Sequence, residues 1–139
     1  MVMTGIHTID SSINTAKEWL KDIQGAMGAE NQEEAYKAAR GVLTALRDRL
    51  PVGEASNFAS QLPLFLVGVY FHGWKPEDKP IKIRHQDEFI SAVAERIPQS
   101  MEAANAVRSV FGVINKRITA GEIEDVKGNL PQEIRVLWE

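Results

Sequence analysis

His7, His72 and His85 supply the chain's imidazoles, and cysteine is absent. A metal site needs imidazole, thiolate or carboxylate ligands at short regular spacings, such as two histidines one helical turn apart. No two of these histidines stand at i, i+4, and no carboxylate sits beside them in ligand register. The expectation is therefore no metal and no cofactor. Disulfides and thiol catalysis go with the missing cysteines. No nucleophile elbow, phosphate-binding loop, dinucleotide fingerprint or zinc-protease signature occurs. The carboxylate runs Glu30 to Glu34 and Glu122 to Asp125 fall where helices should begin, and negative charge suits a helix start. General acid–base catalysis would need a carboxylate pressed into a cleft by apolar neighbours, and nothing in the sequence points to one. A protein without enzymatic activity is expected.

One segment carries mixed chemistry. His72, Trp74, Lys75, Lys79, Lys82, Arg84 and His85 share a short stretch, opposed only by Glu77 and Asp78. Basic residues beside an aromatic can hold a phosphate backbone or stack on bases, which makes 72–85 a candidate binding loop. The plainer alternative packs Trp74 on the core as a lid and leaves the lysines in solvent. A net charge of −3 argues against a dedicated nucleic-acid binder. Arg40, Arg49, Arg108 and Arg117 are the other recurring cations. Ion pairs with Glu34, Glu102, Glu54 or Glu122 are their expected use.

The elements that must position these groups are helices, because apolar residues recur at helical spacing and period-two alternation is absent. Ile13, Ala16, Leu20, Ile23 and Met27 mark a first helix over 11–27, with Gly28 as its stop. Asn31 and Glu34 form a capping-box pattern ahead of a second, long helix. That helix carries Ala35, Ala38, Ala39, Val42, Leu43, Leu46 and Leu50 on one stripe and ends at Pro51.

This stripe recurs. At an offset of 68 residues, 34–70 aligns with 102–138 without a gap, with identities that include Arg40/Arg108, Gly53/Gly121, Glu54/Glu122 and Leu62-Pro63/Leu130-Pro131. The copy places Ala103, Ala106, Val107, Val110, Phe111, Ile114 and Ile118 at the same seven positions. Short third helices are expected near 53–61 and 120–128, the latter opened by Thr119 and Glu122. Fourth helices start at the two Leu-Pro steps, where a missing N–H is harmless. Trp19, Leu20, Ile23 and Met27 match Phe89, Ile90, Val93 and Ile97 at a shift of 70.

The reading is an all-α fold: two tandem, pseudo-symmetric four-helix repeats forming one bundle-like domain over 1–139. Repeat one covers about 11–71, the linking loop 72–85 and repeat two 86–139. A single repeat would bury too little apolar surface to stand alone, and no staple exists.

The fourth helices diverge. The segment from Pro63 to Phe71 is apolar on every face, whereas Pro131 to Glu139 is amphipathic. Leu64, Phe65, Val67 and Phe71 face Gln132, Glu133, Arg135 and Glu139 in the alignment. A helix apolar all round must be covered all round. Either it lies at the centre of the monomer, or these four residues form an interface in a homodimer. Gly68 would admit a close neighbour in both cases.

Composition is that of a soluble globular protein, 44% hydrophobic and 25% charged. The start of the chain lacks the features of a signal peptide, and the apolar run Leu62 to Phe71 is too short to span a bilayer. A cytoplasmic protein without membrane contact is expected, since absent cysteines suit a reducing compartment.

The run from Glu34 through Ala55, then Gln61-Leu-Pro63, Tyr70-Phe-His-Gly-Trp74 and Asp87 to Arg96, resembles the bacterial domain of unknown function 2267 family. The resemblance implies an all-helical, two-repeat protein and carries over no catalytic residue. The functional expectation is a non-catalytic module that binds an unknown protein partner or itself. The alternative is a small-ligand or nucleic-acid binder using loop 72–85.

Overall fold

The computed structural model of the chain describes residues 3–139. Helix α1 spans His7–Met27 and stops where Gly28 takes the left-handed conformation, φ 72°. It starts earlier than the apolar periodicity suggests. Asp10 accepts hydrogen bonds from the backbone N–H and the hydroxyl of Thr4, at 3.1 and 2.9 Å, which ties down the exposed first turn. Helix α2, Gln32–Arg49, opens on Asn31, whose side chain accepts from the Glu34 N–H at 2.9 Å. Glu34 in turn reaches the N–H of Glu30, one residue before the position a closed capping box would use.

Helix α3 covers Val52–Ala59 and α4 covers Leu64–Phe71, with Pro51 and Pro63 just ahead of their first turns. After the 72–85 connection come α5, Gln86–Ala94, and α6, Ala103–Arg117. Helix α7, Ala120–Gly128, is capped by Thr119, and α8, Gln132–Arg135, runs on into a 3₁₀ turn over Val136–Trp138. The described residues contain helices and no strands, so the fold is all-α. None of these helices is long and apolar enough to cross a membrane.

The long stripes behave as the periodicity predicts. All seven stripe positions from Ala35 to Leu50 are buried, and so are six of the seven from Ala103 to Ile118, Ala103 being half-buried. Helix α1 packs on α2, α4 and α6, while α5 packs on α2, α6 and α8. Helices α2 and α6 touch each other, as do α3 and α7, and the buried apolar side chains form one core cluster.

Burial contradicts the first reading of α4, a helix at the centre of the monomer. Only Leu66 and Tyr70 of this helix are buried. Leu64 is 62% exposed and Phe65 45% exposed, so α4 is an outer helix with one apolar face uncovered. Helices α1 and α2 pack on α4 and leave Leu64 and Phe65 uncovered. Within the monomer Gly68 admits no close neighbour, because a β-carbon there would meet no atom within 4 Å. The close approach occurs at Gly41 on α2, where a β-carbon would run into Ile97 Cγ2.

Candidate functional site

The exposed face of α4 forms one wall of an open groove of about 1280 Å³. Leu64, Phe65, Gly68 and Val69 come from α4, and Lys37, Arg40 and Thr44 face them from α2. Arg96 and Ile97, just past the end of α5, close one end. Helical periodicity explains both walls. Lys37, Arg40 and Thr44 stand at i, i+3 and i+7 on the side of α2 opposite its buried stripe. Leu64, Phe65 and Gly68 stand opposite the buried pair Leu66 and Tyr70.

A buried ionic network holds these walls together. The Asp48 carboxylate accepts Arg47 Nε at 2.8 Å and Nη2 at 3.1 Å, and Arg96 Nη2 approaches it at 3.0 Å. Arg47 Nη1 donates onward to the backbone carbonyls of Tyr70 at 2.8 Å and His72 at 3.2 Å. One guanidinium therefore joins the end of α2 to the end of α4. The Arg47 and Asp48 side chains are 7% and 9% exposed, so the pair is shielded from screening. Burial alone would raise the Asp48 pKa, but the hydrogen bond and charge of Arg47, then those of Arg96, outweigh it and hold the carboxyl below its ordinary value. Tyr70 completes the join, its hydroxyl donating to Ala55 O at 2.9 Å, and burial pushes its pKa upward.

The structure disperses the residues picked out in the sequence. Of the interface candidates, Leu64 and Phe65 line the groove. Val67 and Phe71 are half-buried against the core, and the Phe71 ring meets Tyr70 edge-on and Trp74 at a tilt, with ring centroids 5.0 and 5.1 Å away. Of the loop candidates, His72 reaches the groove. Trp74 packs on the core, as the plainer reading of this residue had it. Lys75, Lys82 and Arg84 are exposed and Lys79 half-buried, and none of the four lines the groove. His85 pairs instead with Glu133 at the start of α8, Nδ1 to Oε2 at 2.9 Å. The loop itself lies against α2, with Ile81 N–H donating to Asp48 O at 2.8 Å and Arg49 Nε to Ile83 O at 2.6 Å.

The recurring arginines do not use the expected glutamates. Arg117 pairs with Asp22 at 2.7 Å and lies 3.9 Å from Glu18, and Arg49 serves the loop carbonyl. Arg40 and Arg108 have no ion pair among the described residues. Glu54 and Glu122 instead lie close enough for the Glu122 carboxyl to help raise the Glu54 pKa. Sequence reasoning also missed Arg47, Asp48 and Arg96, which carry no periodic signal. Among the described residues no cluster of histidine and carboxylate side chains could hold a metal ion.

No curated protein matches the chain. A family model described as an uncharacterized conserved protein, DUF2267, matches residues 16–137, from within α1 to the last helical turn, and the chain belongs to that family.

Proposed function

We propose that this chain is a non-catalytic cytoplasmic module that binds a partner protein across the groove between α2, α4 and the end of α5. The observation that carries the reading is the exposure of Leu64 and Phe65 side by side on a groove wall. Isolated surface apolar residues are ordinary, but adjacent ones rimmed by charge on a concave face favour an interaction site. A non-catalytic role is supported by the Arg47–Asp48–Arg96 network, whose polar groups are engaged in holding helices together. The lack of cysteine suits a reducing compartment.

The same reading treats the fold as two pseudo-symmetric repeats. Its support is that α1 packs on α2 and α6 as α5 packs on α6 and α2, while α2–α6 and α3–α7 are contacts between counterparts.

A photoreactive amino acid at Gly68 tests the site, with one at exposed Gly121 as control. Neither position crowds a neighbour. The expected result in cells is a crosslink to another protein from position 68 that disappears with Leu64→Ser and Phe65→Ser. Equal crosslinking from both positions would sink the assignment, and an adduct of twice the chain mass would identify self-association.

A further inference from the structure

Resting on the groove just described, we infer that its occupant is an acidic amphipathic helix of a partner protein. Size argues for a polypeptide. About 1280 Å³ exceeds the ~300–1,000 Å³ typical of small-molecule pockets, and the groove is open rather than enclosed. The shape argues for a helix. Leu64, Phe65 and Val69 form an apolar rail along α4, and Gly68 leaves a gap in it where another backbone can come close. A helix laid in a groove inserts its i, i+3, i+4 and i+7 residues against such a rail.

Charge fixes the sign of the partner. Lys37, Arg40, Arg47 and Arg96 line the groove against Asp48 and Glu95, so the site is locally cationic on a chain of net charge −3. Asp48 is already spent on two arginines. Lys37 and Arg40 have no ion pair among the described residues and stand one turn apart, facing the rail. Carboxylates on the flank of a docked helix would meet them, and this complementarity would speed encounter and set orientation.

A second copy of the chain fits less well. Its acidic helix α7 has already buried its apolar residues Ile123 and Val126. The exposed apolar residues at the start of α1, Ile6 and Ile9, accompany a single carboxylate, and Asp10 is engaged by Thr4. Nucleic acid would leave the apolar rail unused.

The test uses a fluorescein-labelled synthetic helix with a leucine stripe flanked by glutamates, and a twin with lysines in their place. Fluorescence anisotropy should show the glutamate helix binding at least about tenfold tighter than its twin. That preference should shrink as salt rises. Lys37→Glu with Arg40→Glu should reverse it. Gly68→Trp should abolish binding of the glutamate helix while leaving the unfolding midpoint at or above the parent value.

Equal binding of the two helices, or a Gly68→Trp variant that binds normally, overturns the inference. So does a single-stranded oligonucleotide whose binding Gly68→Trp abolishes, or a dimer by light scattering that this variant dissociates. Failure of the glutamate helix alongside a crosslink from position 68 would reject the occupant and keep the site. The absence of both results would reject the site as well.

Discussion

The carboxyl groups of Glu54 and Glu122 come together where α3 meets α7, and each leaves its Oε2 atom buried without a hydrogen-bond partner in the described structure. The two residues stand 68 positions apart, the offset at which 34–70 aligns with 102–138. Two carboxylates in contact cannot both stay ionised cheaply.

Burial first, then the neighbouring Glu122 carboxyl, then the charge of Asp125, push Glu54 up to about 7. The folded pKa lies above the unfolded one, so the folded state holds the extra proton. This contribution to stability is complete below the unfolded value near 4.5 and is lost as pH rises towards about 7. Glu54→Gln supplies a permanent N–H donor to Glu122 and removes the titration. Thermal unfolding across this window should show the parent midpoint falling relative to that of the variant as pH rises. Parallel curves would mean that the two carboxyls do not share a proton.

His85 titrates against a different partner. The hydrogen bond that the ring donates to Glu133 raises its pKa first, and the charges of Glu133 and Glu88 add to it, while the ring is exposed. Its folded pKa exceeds the unfolded 6.5, so its contribution is present below that value and fades as pH climbs through the folded pKa. NMR titration should place the His85 ring above 6.5, and Glu133→Gln should move it down. An unshifted ring in that variant would dissolve the link between the loop and α8.

The helical stripes were legible because burial repeats every turn: Ala38, Val42 and Leu46 announce one face before any partner is known. Caps were legible for the same local reason, at Asn31 and Thr119. Long-range pairings were not. The sequence offers Glu54 and Glu122 as arginine partners, since nothing in their spacing of 68 residues reveals that they meet in the fold. Arg47 and Asp48 are neighbours in sequence whose role depends on Arg96 and the Tyr70 carbonyl, brought near only by the packing of α2 on α4 and α5. The apolar composition of α4 says that the helix wants covering but not by what, since exposure depends on how many helices reach it.

Asp48 should be among the most sensitive polar positions. Replacing it by alanine leaves the buried Arg47 guanidinium without its counter-charge, a change that typically costs about 3–5 kcal/mol. Urea unfolding should show that loss, together with a weakened join between α2 and the end of α4. The Asp48 pKa is lowered in the fold, so its contribution is present above the unfolded value near 3.8 and disappears as pH falls through the folded one. In Asp48→Ala the parent's acid-side loss below that value should be smaller. A variant within about 0.5 kcal/mol of the parent would show the network to be dispensable.

Gly41 in α2 and Gly112 in α6 should respond in opposite directions to alanine. In a helix interior alanine is favoured over glycine by about 1 kcal/mol, through backbone entropy. At Gly112 nothing lies within 4 Å of the added β-carbon, so Gly112→Ala should stabilise by roughly 0.5–1 kcal/mol. At Gly41 the same carbon overlaps Ile97 Cγ2, and the Arg96 carbonyl oxygen is 3.5 Å away. Ile97 is itself buried and branched at Cβ, so relief requires moving the end of α5 and with it Arg96. Overpacking of this kind costs about 1–3 kcal/mol, which exceeds the propensity gain. Gly41→Ala should therefore unfold at lower urea than the parent, and Gly112→Ala at higher. If both variants were stabilised, α5 could shift freely against α2, and Arg96 would lose its fixed place at the end of the groove.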